Sequence, residues 1–281
     1  MHDTARHGVA VGFFDGVHLG HREILSRARC AITFRNHPLE IVAPDRAPRL
    51  VMTFDERIEA IRSCGVEDVT ALDFTVELAQ MAPEDFARAF IVERRVVCGD
   101  NWRFGRGGAG NAALLRSLGY EVEMCPAAIL DGERISSTRI RKTIESGRLE
   151  DAARMLGRPW RISGDVAPGK GEGRKLGFPT INIGVDHVAL RPPAGVYAVL
   201  ANGVPGVANY GFAPTFGERA WAKPVLEVHL LEGDGANIPP SDVHVDVISF
   251  IRPERKFATM DELRGQVAKD VASAGAIISC K

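Results

Sequence analysis

Val11-Gly12-Phe13-Phe14-Asp15-Gly16-Val17-His18-Leu19-Gly20-His21 joins a short apolar run to an amphipathic one through small residues and two histidines. The run Val9–Phe14 reads as a buried strand and Gly20–Arg29 as a helix, so the quoted segment is a strand-to-helix turn. Gly16 and Gly20 let backbone amides approach a ligand closely, and the helix start adds free N–H groups and the positive end of a dipole. Such a turn suits phosphate, with His18 and His21 donating hydrogen bonds to its oxygens as negative charge builds. A sharp turn carrying two solvent-facing histidines is the plainer alternative. Against it, the spacing of His18, Gly20 and His21 falls at the strand-to-helix switch where α/β sheets bind ligands.

Outward from this turn the same alternation continues. Ala31–Phe34 is followed by the amphipathic Phe54–Cys64, and Val96–Gly99 by Ala109–Leu118. The pattern predicts a doubly wound parallel sheet covered by helices. Thr53 and Glu56 have the spacing of a capping box, which marks a helix start. After Leu156 the texture changes. Gly157-Arg158-Pro159-Trp160 is turn-like, and short β-prone runs such as Val196–Leu200 and Val243–Phe250 stand among Gly and Pro. A small antiparallel barrel fits this second part. A capping pair at Thr259 and Glu262 opens a last helix, whose Leu263, Val267 and Val271 would face the barrel. The expected domains are therefore 1–156 and 157–281.

The chain has 281 residues, 45% hydrophobic and 25% charged, with a net charge of -1. That composition excludes a disordered or collagen-like chain, and the charge balance lacks the basic excess of nonspecific nucleic-acid or anionic-membrane binding. Cys30, Cys64, Cys98, Cys125 and Cys280 are odd in number and scattered, so neither a disulfide framework nor a zinc site is indicated. The N-terminus has no long apolar core, and no membrane-length apolar run follows. A cytoplasmic protein without nucleic-acid or membrane partners is the expectation, and a homo-oligomer is compatible with the sequence.

Five further groups carry chemistry. In Arg134-Ile135-Ser136-Ser137-Thr138-Arg139-Ile140-Arg141, hydroxyls could cap a helix whose first turns would aim arginines at the phosphates. From Gly164 to Asn182, Gly169, Gly171 and Gly173 with Lys170, Arg174 and Lys175 make a basic loop able to wrap phosphates. Beyond Pro179, Thr180 and Asn182 share one side of an extended segment, where two neutral oxygens can hold Mg²⁺ with its waters and phosphate oxygens. A flexible loop beside a polar strand edge is the alternative. Glu227, between Leu226 and Val228, is either a strand glutamate facing solvent or a general base. Asn101 stands in a loop after a strand, where a structural turn role is also open.

The pairing of the two-histidine turn with the Arg134–Arg141 cluster resembles the two signatures of nucleotidyltransferases. More specifically, GFFDGVHLGH (12–21), TFRNHP (33–38), GDNWRFGRGGAG (99–110) and RISSTRIR (134–141) resemble the FMN adenylyltransferase module of bacterial bifunctional riboflavin kinase/FAD synthetases. That resemblance implies that His18, His21, Asn101, Arg134, Ser137, Thr138 and Arg141 contact ATP or the transferred adenylyl group, with His37 nearby. GRKLGFPTIN (173–182), PPAGVYAV (192–199), NYGFAPTF (209–216) and VLEVHLLEGDG (225–235) resemble the riboflavin kinase module. It implies a six-stranded barrel binding MgATP and riboflavin, with Thr180 and Asn182 on the nucleotide and metal and Glu227 as base; Gly171, Gly173 and Arg174 of the basic loop are the further candidates for binding ATP or riboflavin.

The chain departs from the family pattern in four places. Arg35-Asn36 precede His37, Trp102 replaces a phenylalanine, the link from His21 to Phe34 is short, and Ile238-Pro239-Pro240 follows where an LYG run is usual. Riboflavin to FMN and FMN to FAD is thus the expected chemistry. The alternatives are a kinase with a degenerate first domain and a flavin- or nucleotide-binding regulatory protein.

Overall fold

The computed structural model describes residues 8–168, 177–185, 190–212, 224–232, 238–241 and 243–280. Its first strand, β1 (Val9–Val11), is buried along its whole length. Val9 and Val11 enter one apolar layer with Phe34, Phe86, Val96 and Leu115. Ala10 enters the other, with Leu25, Ala31, Ile61 and Val97. A strand apolar on both faces needs cover on both, which is the condition for a parallel sheet between helices. The chain supplies it through α1 (Leu19–Leu25), β2 (Cys30–Phe34), α2 (Pro38–Val42), α3 (Phe54–Ser63), β3 (Asp68–Leu72), α4 (Val76–Gln80), α5 (Pro83–Phe90), β4 (Arg95–Gly99), α6 (Ala112–Ser117) and β5 (Glu121–Cys125). The strands lie in the order β3-β2-β1-β4-β5, every pair parallel. Leu25 of α1 and Ile61 of α3 cover one face, and Phe86 of α5 and Leu115 of α6 the other.

The order reverses between β1 and β4, and the loops leaving the carboxyl ends of these two strands flank the crevice where open α/β sheets take ligands. The short link from His21 to Phe34 is spanned by a short helix and a tight return to β2. Helix α1 is one turn shorter than its pattern suggested, and Arg29 N and Cys30 N both donate to Gly8 O at 3.1 Å to start β2. The capping box at Thr53 and Glu56 forms in both directions.

A hairpin of β6 (Ile129–Leu130) and β7 (Glu133–Arg134) leads into α7 (Ser137–Glu145) and α8 (Leu149–Leu156). Helix α8 ends on Gly157 at φ +74°, where the turn-like run begins. Two compact units result, Met1–Arg139 and Ile140–Lys281, the division falling within α7; α8 packs on β8 and β14 of the second unit.

That unit continues with β8 (Trp160–Gly164), β9 (Val166–Ala167), β10 (Ile181–Gly184), β11 (Gly195–Ala201), β12 (Val204–Phe212), β13 (Pro224–Leu230), β14 (Val243–Pro253) and α9 (Met260–Ser279). Its seven strands run β8-β14-β11-β12-β13-β10-β9, all antiparallel. The two edge strands, β8 and β9, are separated in sequence by Asp165 alone, so the sheet must curl until its edges meet. Counted as one strand bent at Asp165, β8 and β9 reduce the seven to the expected six. Gly164 is required at the bend, since a Cβ there would stand 2.2 Å from Gly184 O. Gly184 N then donates to Asp165 O, and Val166 N to Pro240 O, both at 2.9 Å. The Ile238-Pro239-Pro240 departure thus serves the barrel seam. Helix α9 lays Val271, Ile277 and Ile278 on Val196, Ala198, Val207 and Ile248; of the expected stripe only Val271 joins this cluster, while Leu263 and Val267 line the groove described below. Thr259 accepts from Glu262 N, while the Glu262 carboxylate takes its hydrogen bond from Ala258 N rather than from Thr259.

Candidate active sites

In the first unit the turn after β1 is bent hard. Gly16 has φ +80°, and Phe14 and Val17 also take positive φ, at +56° and +38°. For a β-branched residue such as Val17 this is strained backbone, of order 1–3 kcal/mol, tolerated where the surroundings fix it. Val17 is fully buried and its N–H bonds Phe14 O at 3.0 Å. Buried Asp15 accepts Val51 N on both carboxylate oxygens, at 3.0 and 3.1 Å, and its carbonyl accepts the Ser137 hydroxyl at 2.9 Å. Ser137 thereby ties the start of α7 to the turn.

His18 caps α1, its Nδ1 accepting from His21 N at 3.3 Å. An accepting Nδ1 places the hydrogen of the neutral ring on Nε2, which becomes the donor toward a ligand. The His18 and His21 rings stack, centroids 3.6 Å apart and 17° from parallel. Gly20 makes room, since a Cβ there would lie 3.3 Å from His18 Cε1. Phe14 meets His21 edge-on at 5.4 Å. His21 Nδ1 is closed off from both solvent and partners, leaving Nε2 for contact with a ligand. Burial, followed by the adjacent His18, holds the His21 pKa well below the usual histidine range, so its ring is neutral at physiological pH.

At the end of β4 the structure joins residues far apart in sequence. Arg134 Nη1 reaches Asp100 Oδ2 at 3.3 Å, and Nη2 reaches Asp100 Oδ1 and, at 2.9 Å, Asn101 Oδ1. The Arg134 hydrogen bond, aided by its charge, holds the Asp100 carboxyl below its ordinary range. Asp100 was not singled out from the sequence; a carboxylate beside Asn101 has no spacing signal until Arg134 comes to it. Thr138 and Arg141 follow on α7, exposed and half-buried respectively. Arg139 does not aim at phosphate as the cluster suggested. Its Nη1 donates to Leu130 O at 3.0 Å and Glu133 O at 2.9 Å, bracing the β6–β7 hairpin.

His37 caps α2 through Nδ1, which accepts from Leu39 N at 3.1 Å, and its ring meets Phe13 edge-on at 4.7 Å. Asn36 before it exchanges two hydrogen bonds with the Phe74 backbone, at 2.8 and 3.0 Å, and so joins the ends of β2 and β3. Trp102 stacks on Phe104 at 4.6 Å. Phe13, Phe34, Phe74, Trp102 and Phe104 line a largely apolar cleft of about 770 Å³, with Arg103 and Arg106 also on its wall.

In the second unit, β13 alternates strictly, with Leu226, Val228 and Leu230 buried and Glu227 exposed. Glu227 therefore points out of the barrel. It pairs in register with Asn182 of β10 on one side and Asn209 of β12 on the other. Cross-strand partners share a face with Cα atoms about 4.5–5.5 Å apart, so the three polar side chains form a row. Asn209 Nδ2 also donates to Glu254 Oε1 at 3.1 Å. His229, two residues along the same face, donates from Nδ1 to Pro179 O at 2.8 Å and packs on Phe178 at 5.3 Å, pinning the backbone just before Thr180.

The row opens into a groove of about 620 Å³ whose walls include Thr180, Glu227, Phe257, Leu263 and Val267. Its far side is held by Arg252, paired with Asp270 at 2.6 Å. Asn209 and His229 were missed in the sequence because their roles arise from strand register. Gly171, Gly173 and Arg174 lie outside the described residues.

A family model described as FAD synthetase matches residues 1–139, and one described as riboflavin kinase matches residues 156–278. Among curated proteins, the bifunctional riboflavin kinase/FMN adenylyltransferase of Bacillus subtilis is 31% identical, covering 95% of this chain and 91% of that protein. The protein of the same name from Haemophilus influenzae is 34% identical over 96% of this chain and 94% of its own. A solved structure titled as a macrolide-efflux protein from Streptococcus pneumoniae superposes with a TM-score of 0.83 at 28% identity, covering 95% of this chain and 93% of that one. No helix among the described residues of this chain is long and apolar enough to cross a membrane.

Proposed function

This chain belongs to the family of bifunctional riboflavin kinase/FMN adenylyltransferases, and from that premise we propose how its residues divide the conversion of riboflavin to FMN and of FMN to FAD. Residues 157–281 phosphorylate riboflavin with ATP; residues 1–156 adenylylate FMN with ATP, releasing pyrophosphate. The observation that carries the assignment is that each unit holds its own phosphate-transfer constellation: the His18/His21 turn in one and the Asn182–Glu227–Asn209 row in the other.

In the kinase unit, the riboflavin ring occupies the groove beside Phe257 and its ribityl chain runs to Glu227. The Glu227 carboxylate accepts the proton of the 5′-hydroxyl as that oxygen bonds to the γ-phosphorus of ATP and the bond to ADP breaks. Thr180 and Asn182 offer hard neutral oxygens beside that carboxylate, a donor set that suits Mg²⁺ arriving with ATP. The ion would neutralise phosphate charge during transfer.

In the adenylyltransferase unit, FMN occupies the apolar cleft with its phosphate toward the turn. A phosphate oxygen of FMN bonds to the α-phosphorus of ATP as the bond to pyrophosphate breaks. His18 and His21 donate from Nε2 to the oxygens that gain charge, and Arg134, held ready by Asp100 and Asn101, meets the nucleotide. Gly16 and Gly20 keep the turn open for this, with Ser137, Thr138 and Arg141 beside the phosphates. The protein works in the reducing cytoplasm, where its cysteines remain thiols.

Incubation of the purified chain with riboflavin, ATP and Mg²⁺ should yield FMN and then FAD on chromatography. FMN supplied directly with ATP should yield FAD and pyrophosphate. FMN accumulating with no FAD from either incubation would refute the assignment of the first unit.

A further inference from the structure

Arg57 shares the buried face of α3 with Ile61 and has none of its surface exposed. Nη2 donates to Phe34 O at 2.6 Å and to Arg35 O at 3.2 Å. Nε and Nη1 are buried with no hydrogen-bond partner. Cζ lies 3.9 Å from the centre of the Phe13 ring, a close cation–π contact. Burial pushes the Arg57 pKa down to about 10, with Asp15 and then Glu40 opposing the shift, so the group is still charged at neutral pH. A buried cation with two unanswered nitrogens is a costly way to fill space, and an apolar side chain of similar volume would pack as well or better.

Its contacts converge on one place. Phe34 and Arg35 are the last residues before Asn36-His37, and Phe13 meets the His37 ring edge-on. Phe13 and Phe34 are also two walls of the apolar cleft. One guanidinium thus holds both the ring and the backbone on which the cleft wall and His37 depend.

We propose that Arg57 is a positioning residue for the flavin substrate of the first unit. It fixes the Phe13 ring from behind and, through the Phe34 and Arg35 carbonyls, the backbone that delivers His37. The cleft wall and His37 Nε2–H then keep one arrangement toward FMN. This rests on the reading of the first unit as an FMN adenylyltransferase. Nη2 alone makes both carbonyl contacts, so a lysine ammonium can replace it; methionine supplies neither donor nor charge.

The test measures FAD formation from FMN and ATP by the full chain, with each substrate varied in turn and riboflavin phosphorylation as the reference activity. Arg57→Met should raise the KM for FMN about tenfold or more, the equivalent of about 1.4 kcal/mol, with the KM for ATP and riboflavin phosphorylation unchanged. Arg57→Lys should return the KM for FMN to within about threefold of the unsubstituted value. If Arg57→Met does not fold, Phe13→Leu, which removes the ring but keeps the cleft apolar, should give the same selective rise. Unchanged constants in these variants, or FMN and ATP constants rising together, would overturn the proposal while leaving the functional reading intact. Failure of the unsubstituted chain to make FAD would instead overturn that reading, and the proposal with it.

Discussion

In the proposed mechanism His21 and Glu227 do opposite work with the same economy of placement. His21 is stripped of water at Nδ1 and kept neutral, which suits orienting a ligand; Glu227 points out of the barrel between two asparagines, on the wall of a groove it shares with Phe257, Leu263 and Val267. Replacing Glu227 by Gln keeps size and hydrogen bonding but removes the proposed base. FMN formation should fall about 10²–10⁴-fold with the barrel still folded. A kinase assay showing unsubstituted turnover would remove Glu227 from the mechanism. His21→Ala takes away a fixed donor to developing phosphate charge, and FAD formation from FMN should fall about 10²–10³-fold while riboflavin phosphorylation persists. Equal loss of both activities would show a folding defect instead.

At the scale of elements, the seam of the barrel is the most exacting feature. Gly164, Asp165 and Gly184 meet backbone to backbone, and no side chain fits at position 164. Gly164→Ala should therefore open the seam between β9 and β10, raise amide exchange of Val166 and Gly184, and lower riboflavin phosphorylation through the displaced Thr180–Asn182 strand. Unchanged exchange at these two amides would mean that the strands are joined by other contacts. Among the elements missed by the periodic pattern, which include α2, α4, α5 and α8, the strands β3 and β5 are the edges of the parallel sheet. Their burial alternates or is incomplete and they carry Asp68, Glu121 and Glu123, so their sequences resemble surface loops.

For the whole molecule, pH enters through His21. Its pKa is depressed on folding, so below the unfolded value of about 6.5 the unfolded chain binds a proton that the folded chain refuses. Stability from this group is full above that pH and declines as pH falls toward the folded pKa, by at most about 1.4 kcal/mol per pH unit. Amide exchange of β1 and β4 should report greater opening at pH 5 than at pH 7.5, and His21→Gln should flatten that dependence. Equal slopes in the two proteins would show that other groups govern acid sensitivity. The second unit carries its own core, closed by α9 and the Arg252–Asp270 pair.

Local sequence determined a good deal of this protein. The glycine-histidine turn and both helix starts at Thr53 and Thr259 depend on neighbours within a few residues, and they appear where the pattern placed them. The tertiary structure decided what depends on register and long-range approach. Arg134 reaches Asp100 and Asn101 across a sheet crossover, Asn209 finds Glu227 by strand pairing, Arg139 is drawn to a hairpin, and Arg57 is turned inward beneath Phe13. Each of these joins residues whose separation in sequence carries no periodic signal, because hydrogen bonds and ring contacts act through space and the chain path between partners is fixed only when both cores have formed.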